Sequence, residues 1–404
     1  MLNLIVKIKF RKPVIKFRFD RHVPIIIVLI ILGIAGGYYF QSHTESLKRS
    51  INSLYQERDK NYKDLANIKS ELDSLKNEDQ LLKNKSLQEE IKSIEKTYDQ
   101  AVSSYELLLD LKVKTNKTDD LDKLFAKSLD FLSTRNYSSA SSSLASLNAK
   151  IKEEDKKISS TFSIPQNIPQ NNTPPQTGYS RQQVKTDSGE FMVSIAAADL
   201  GSTKVIVDTA SDSNCTDNCP VLPLSTYVSR NNAYAGINGS YFCPTAYPSC
   251  AGKTNSYDLL AMNYKKTYFN SDNNVYSNNP AVIFGDSYIR FVGSASQWGR
   301  DTGPNGVLSN YPLLLSGGNI TFSGDSDAKQ SNKGGRSFVA NKGNTVYIGV
   351  VHSATVAESA KVMKAMGMEN ALNLDDGGST ALWFGGYKIG PGRDLPNVIL
   401  FVKK

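Results

Sequence analysis

Two adjacent aspartates stand before a glycine-rich loop near the C-terminus, in the stretch NALNLDDGGSTALWF at 370–384. Asp375 and Asp376 supply carboxylates that can act as nucleophile, general base or general acid. Because successive strand side chains point to opposite faces, we expect only one of the two to enter a site. The residues that follow combine flexible backbone N–H groups with hydroxyl donors and suit an anion: Gly377, Gly378, Ser379 and Thr380.

Taken alone, this loop also fits two non-catalytic interpretations. Asp-Gly is a common signal for a type I′ hairpin turn between two strands. A calcium loop is a third interpretation, although the stretch lacks the alternating oxygen ligands and the later glutamate of an EF-hand.

A second stretch, AYAGINGSYFCPT at 233–245, brings a strand into another glycine turn. Asn238 and Tyr241 carry polar groups beside Gly239 in an otherwise apolar run. They either position a sugar and the loop or satisfy polar groups of the core. His352, at the end of TVYIGVV, is the one histidine after residue 43, so any Ser-His-Asp triad in this half of the chain must use it.

These segments together resemble the phosphodiester glycosidase family, which includes the enzyme that uncovers the mannose 6-phosphate signal. The family pattern has an N-G-x-[FY]-F segment, an Arg-Thr segment before a strand and a late N-L-D-G-G-G-S segment. INGSYF, GGRSFVANKGNTVYIGVV and NALNLDDGGST match it in order, and SNYPLLLSGGNI resembles its Pro-Leu-Leu segment. The resemblance covers about 184–404. One residue departs from it, since Asp376 stands where the family has the first glycine of its triplet.

The resemblance implies hydrolysis of a sugar–phosphate diester at the glycosidic side, with no cofactor. Phosphate is a good leaving group, so the chemistry needs a clamp for charge more than a strong acid. Asp375 is then the nucleophile or general base, Arg336 the bidentate phosphate ligand and His352 an acid–base or phosphate-binding group. A surface ion pair for Arg336 and a structural role for His352 are the alternatives. The substrate-binding residues are expected to be Asn238, Gly239, Tyr241, Gly377, Gly378, Ser379 and Thr380.

Two other function classes stay open. A carboxylate at position 376 would repel phosphate, which favours a non-catalytic module that binds glycan or phosphate. The helical pattern of the N-terminal half favours a structural protein that assembles through a coiled coil.

The domain at 184–404 is expected to be α+β, with more strand than helix. Short β-rich runs recur between Gly, Asn, Asp and Pro residues, among them FMVSIAAADL, KVIVDTA and TVYIGVV. One helix interrupts them. Thr355 and Glu358 match a capping box, and Gly367 suits a helix C-cap.

The N-terminus predicts a membrane anchor. Residues 1–22 hold seven basic residues against one aspartate, a net charge of +6 within the chain's +8. The uncharged run VPIIIVLIILGIAGGYYF at 23–40 follows and is long enough to span a bilayer. The positive flank predicts a cytoplasmic N-terminus and an extracytoplasmic C-terminal domain. A cleaved signal peptide is the alternative.

Residues 44–158 contain no Pro or Gly and repeat apolar residues at spacings of three and four, as in a coiled-coil stalk. The register breaks near Asp79. Residues 119–158 predict two amphipathic helices joined near Arg135 and Asn136. A Pro/Gln/Asn-rich linker at 159–183 follows. The stalk makes a homo-oligomer possible.

The four cysteines lie in the part expected to be exported, where disulfides persist. Local pairing is favoured, Cys215 with Cys219 and Cys243 with Cys250, and a zinc site of all four is the alternative. From residue 184 onward there are 18 basic and 17 acidic residues. That balance gives no basic face for nucleic acid, so the expected partners are a glycan or sugar–phosphate diester and the membrane.

Overall fold

The computed structural model describes residues 23–76, 79–270, 277–324 and 327–404. The predicted cytoplasmic tail at 1–22 lies outside the described residues. The chain divides into two compact units, one up to Glu90 and one from Ile91 to Lys404.

Helix α1 (Val23–Lys76) contains the apolar run of the first unit. Among the described residues, one helix is long and apolar enough to cross a membrane, Ile26–Lys76. An N-terminal apolar helix together with disulfides fits a single-pass membrane protein or a secreted one. Leu65, Ile68 and Leu72 of the predicted coiled-coil face are exposed, and the coiled coil stays a prediction.

A helical segment, here residues 91–161, begins the second unit. It comprises the later part of α2 (Asp79–Lys114), α3 (Asp119–Ser133) and α4 (Tyr137–Thr161). Its helices bury their own core around Leu108, Leu144 and Leu147. The chain turns between α3 and α4 where the sequence indicates, and the Asn136 side chain caps α4 by accepting from the Ser139 amide.

The rest of the second unit is rich in strands, and its described residues include three short helices and 3₁₀ turns between the strands. The helices are α5 (Leu224–Arg230), α6 (Ala328–Ser331) and α7 (Val356–Ala365). The strands are β1 (Gly178–Thr186), β2 (Gly189–Asp199), β3 (Thr203–Thr209), β4 (Ala235–Asn238), β5 (Ala261–Met262), β6 (Tyr268–Phe269), β7 (Ala281–Phe284), β8 (Ile289–Val292), β9 (Gly306–Ser309), β10 (Leu313–Ser316), β11 (Asn319–Ile320), β12 (Gly334–Lys342), β13 (Thr345–Ala354), β14 (Asn370–Asn373), β15 (Leu382–Phe384), β16 (Tyr387–Ile389) and β17 (Asn397–Lys403).

Within the described residues these strands form three antiparallel sheets. The first sheet has seven strands in the order β1-β2-β13-β12-β14-β10-β11. The second sheet has the order β16-β15-β4-β17-β3, and the third has the order β6-β5-β9-β7-β8.

Alternation along the strands decides which face each side chain buries. Val193, Ile195 and Ala197 of β2 pack with α7 on one face of the first sheet. Ala196 and Ala198, one residue out of phase, pack against the second and third sheets. Helix α5 covers the far side of the second sheet. The first sheet thus packs against the second and third sheets, with α7 outside the first and α5 outside the second, which confirms the expected α+β, strand-rich class.

The boundaries of this domain follow pairing more closely than composition. β1 begins at Gly178, inside the predicted linker, because its polar residues pair along their whole length with β2. The predicted capping box is present, since Thr355 accepts from the Glu358 amide and Glu358 accepts from the Thr355 amide. Gly367 ends the turn after α7 with a φ of 70°.

Both disulfides that the sequence favours are present, Cys215–Cys219 and Cys243–Cys250. They occupy all four cysteines, so the alternative of a four-cysteine zinc site is excluded.

Candidate functional site

The stretch with the two aspartates connects two different sheets. β14 belongs to the first sheet and β15 to the second, so the residues between them, here called the Asp375 loop (374–381), cross from one sheet to the other. A hairpin would join neighbouring strands of one sheet, and the loop is therefore not a type I′ turn. A 3₁₀ turn at Gly377–Ser379 makes the crossing, and Gly377 has a φ of 59°, which favours glycine.

The Asn238 side chain holds this loop between the sheets. Its Nδ2 donates to the Asp375 carbonyl at 2.6 Å, and its Oδ1 accepts from Ser337 Oγ at 3.0 Å and from the Ala381 amide at 3.1 Å. Asn238 is fully buried. These hydrogen bonds position the loop.

Gly239 brings the loop close to the second sheet. Its carbonyl accepts from the Asp375 amide at 2.9 Å, and its own amide donates to the Asn397 carbonyl at 3.0 Å. A Cβ at this position would lie 1.8 Å from Asn397 Oδ1. The need for glycine therefore comes from this close approach.

Asp376 and Arg336 form a buried ion pair. Arg336 Nη1 donates to Asp376 Oδ2 at 2.9 Å, and the two side chains are 5% and 10% exposed. Asp376 also accepts from the Ser337 amide at 3.1 Å and from Asn373 Nδ2 at 3.2 Å. Burial raises the pKa of the Asp376 carboxyl, and these contacts oppose that rise.

Arg336 makes further hydrogen bonds within the protein, in addition to its pair with Asp376. Its Nε donates to the Ala354 carbonyl at 3.0 Å, and its Nη2 donates to the Asn332 carbonyl. All three side-chain nitrogens therefore have protein acceptors. The predicted surface ion pair is absent, because the pair that Arg336 forms is buried.

Asp375 has no such counter-charge in direct contact among the residues that the structure describes. Burial raises the pKa of its carboxyl to about 7, and the negative charge of Asp376 adds to the rise. A hydrogen bond with the Ser379 side chain and the charge of Arg393 act in the opposite direction. Two adjacent aspartates thus differ in environment, one paired and one ready to exchange a proton near neutral pH.

A cavity of about 350 Å³ opens above the loop. Both aspartates belong to its lining, but the Asp376 carboxylate is turned to Arg336, Ser337 and Asn373. Predicted site residues that line it are Asp375, Arg336, Tyr241, Gly377 and Gly378. Four others lie beneath it as buried or loop-supporting residues, Asn238, Gly239, Ser379 and Thr380.

Tyrosines form part of the cavity wall. The Tyr241 hydroxyl accepts from Asn373 Nδ2 at 2.8 Å, and its ring lies 5.0 Å from that of Tyr311. Aromatic faces of this kind suit a sugar ring, whose C–H groups are apolar.

His352 does not join this cluster. Its Nε2 lies 2.9 Å from Ser194 Oγ, and its ring stacks with Phe162. Because β13 pairs with β2 on this side, the imidazole lies over β2 and outside the cavity. Burial lowers the pKa of His352 to about 4, and Arg181 adds to the shift.

Arg393 is a cavity residue that the sequence did not reveal. It follows the second sheet's β16 in the segment GPGRD, and its amide donates to the Gly378 carbonyl at 2.8 Å. The segment contains no repeat or spacing that distinguishes this arginine from a surface one. Only the tertiary fold places it against the Asp375 loop.

Residues 231–402 match the family model described as phosphodiester glycosidase. The resemblance drawn from the sequence motifs is confirmed, and this segment is a phosphodiester glycosidase domain. The match supports a glycosidase-type hydrolase. No curated protein matches the chain.

Solved structures are similar in part. The catalytic domain of zebrafish N-acetylglucosamine-1-phosphodiester alpha-N-acetylglucosaminidase, auto-inhibited by its pro-peptide, shares 18% identity over 59% of this chain and 87% of that chain, with a TM-score of 0.46. A hypothetical protein from Synechocystis shares 15% identity over 56% of this chain and 62% of that chain, with a TM-score of 0.38.

The buried ion pair generates a stability prediction. Asp376→Asn leaves the Arg336 guanidinium buried without a counter-charge, and we expect a loss of about 3–5 kcal/mol in the free energy of unfolding. Asp212→Asn is the matched control, since it removes an exposed pair with Lys265 and costs about 0–1 kcal/mol. Fluorescence of Trp298 and Trp383, both in the strand-rich domain, reports the transition in the full chain. Equal losses for the two variants would contradict the pairing.

The raised pKa of Asp375 gives a second prediction, which concerns the pH dependence of stability. The folded state holds this proton up to about pH 7, whereas the unfolded chain releases it near pH 4, so wild-type stability declines as pH rises between these values. Asp375→Asn removes that decline. We expect the variant to gain stability relative to wild type from pH 4 to pH 8, by about 2–4 kcal/mol at 1.4 kcal/mol per pKa unit. A pH-independent difference in thermal unfolding would count against the raised pKa.

Proposed function

We propose that the C-terminal domain hydrolyses a sugar–phosphate diester at the bond between the sugar C1 and the phosphate oxygen. The observation that carries the proposal is the Asp375 carboxyl, with its raised pKa, in the floor of a cavity of about 350 Å³. The match of residues 231–402 to the phosphodiester glycosidase family supports the same reaction class.

The reaction balances with water as the only co-reactant. The C1–O bond to phosphate breaks, and the electron pair leaves with the phosphate oxygen as a phosphomonoester. Water adds its oxygen to C1, and its proton passes to the base. Because phosphate leaves readily, a carboxylate that acts at C1 is the main protein requirement.

Asp375 fills that requirement as general base or nucleophile. Its amide and carbonyl are both held, by Gly239 and by Asn238, so the carboxyl is fixed relative to both sheets. Asp376 is held by Arg336, and its negative charge is countered before a phosphate arrives. The departure from the family's glycine is therefore compatible with an anionic substrate.

We further propose that the chain is a membrane-anchored, exported protein, with its N-terminus in the cytoplasm and this domain outside. The apolar helix and the two disulfides support this arrangement. Its substrates are then glycan phosphates of the envelope or of secreted polysaccharide. The apolar face in α1 supports a homo-oligomer through a coiled coil.

The reaction class is tested by product analysis. Incubation of the full chain with a model N-acetylhexosamine-1-phosphodiester should release free sugar and a phosphomonoester in equal amounts. Asp375→Asn should reduce turnover by at least about 10³-fold, because it removes the group acting at C1, whereas Asp212→Asn should retain wild-type turnover. Binding of the diester without cleavage by wild type would favour the non-catalytic module instead.

The role of Asp375 is tested by the pH profile. A base or nucleophile acts as the carboxylate, so kcat/KM should rise with pH through about 7, where the free protein loses this proton. A profile that falls through the same pH would assign Asp375 the role of general acid. The control Asp212→Asn should leave the position of this limb unchanged.

A further inference from the structure

The helical segment forms one wall of the cavity above the Asp375 loop. The residues it contributes are Leu107, Asp110, Leu111, Val113 and Lys114 of α2 and Ile151 and Asp155 of α4. The segment precedes the region that matches the family, 231–402. This wall therefore lies outside the segment that matches the family model.

Polar contacts join α2 to the loop after β4. The Tyr247 hydroxyl donates to Asp110 Oδ1, and the Ser249 amide donates to Glu106 Oε1 at 3.2 Å. Lys329 lies 3.5 Å from the same Glu106. These contacts fix the position of the Tyr247 ring relative to the helix.

Tyr247 in turn contacts Arg393. The guanidinium carbon lies 5.6 Å from the ring centroid. On its other side Arg393 lies against Gly378, where a Cβ would come within 2.3 Å of Nη2. The guanidinium is thus held between a tyrosine positioned by α2 and a glycine of the Asp375 loop.

Arg393 differs from Arg336 in its electrostatic situation. Arg336 is paired with Asp376, whereas the ion pairs of the described residues include none with Arg393. Arg393 is partly exposed and lines the cavity. It is therefore the guanidinium that can present a planar fork of donors to an anion beside Asp375.

We propose that Arg393 binds the phosphate of the substrate and that Asp110 of the helical segment positions it through Tyr247. The proposal rests on the proposed function for its substrate, a phosphodiester. The glycines of the loop let the phosphate approach both the guanidinium and the backbone amides. Asp110 and Tyr247 are positioning residues, and the helical segment completes the phosphate subsite.

Binding of inorganic phosphate to the full chain in detergent tests the subsite without any turnover. Wild type should bind, as measured by titration calorimetry. Arg393→Gln should raise the Kd about 10- to 100-fold, since a charge-assisted hydrogen bond is lost, and Arg393→Lys should fall between the two. The exposed control Arg290→Gln should match wild type. No binding by wild type, or unchanged binding by Arg393→Gln, would overturn the assignment.

The positioning step has its own variants. Asp110→Asn and Tyr247→Phe should each raise the Kd for phosphate about three- to tenfold while the Trp fluorescence transition stays at the wild-type temperature. The matched controls are Asp130→Asn, on an exposed part of α3, and Tyr288→Phe, at an exposed tyrosine. Wild-type affinity in both Asp110→Asn and Tyr247→Phe would overturn the role of the helical segment.

Kinetics separate this inference from the proposed function. With the diester, Asp110→Asn and Tyr247→Phe should raise KM more than they lower kcat. Arg393→Gln should also move the Asp375 limb of the pH profile upward, because the arginine's charge favours the carboxylate. Phosphate binding that depends on Arg393 without any diester cleavage would keep the subsite and reject the glycosidase. Diester cleavage that does not depend on Arg393 would support the glycosidase and reject the phosphate subsite.

Discussion

The buried side-chain amide of one asparagine determines the geometry of the site. Asn238, at the end of a second-sheet strand, binds Ser337 of the first sheet and both ends of the loop that crosses between them. A buried amide left without these partners would cost its full desolvation, so the contacts are strongly favoured over any local rearrangement. The Asp375 carboxyl is positioned because its own carbonyl is part of this set.

The two aspartates show how the same side chain acquires different properties one residue apart. Asp376 turns toward β12 and meets Arg336, an amide and Asn373. Asp375 faces the cavity, where burial is offset only in part by Ser379 and the more distant Arg393. Because a carboxyl's pKa follows its surroundings, the pair divides into one carboxyl paired with Arg336 and one group poised near pH 7.

The sequence predicts what depends on neighbours in the chain and misses what depends on distant pairing. Alternation along β2 and the Thr355–Glu358 cap are local, and both are found in the structure. Whether DDGGST joins strands of one sheet or of two depends on partners far along the chain, so an Asp-Gly signal could not separate a hairpin from a crossing. His352 was expected in the site for its residue type. It lies on β13, however, and its imidazole contacts Ser194 of the neighbouring strand β2. No sequence pattern around Arg393 indicated that it would line the cavity.

The contacts that hold the helical segment against the strand-rich domain are weaker than those that hold the sheets together. The helical segment has its own apolar core, while its hydrogen bonds and ion pair to the strand-rich domain involve Glu106, Asp110 and Lys114. Such polar contacts contribute about 1 kcal/mol each, far less than the buried sheet interface. A modest change in the docking of α2 would therefore leave the domain folded but shift Tyr247, and with it Arg393. Affinity for the anionic part of a substrate then depends on the docked state of the helical segment, whereas the carboxylate chemistry depends on the two sheets alone.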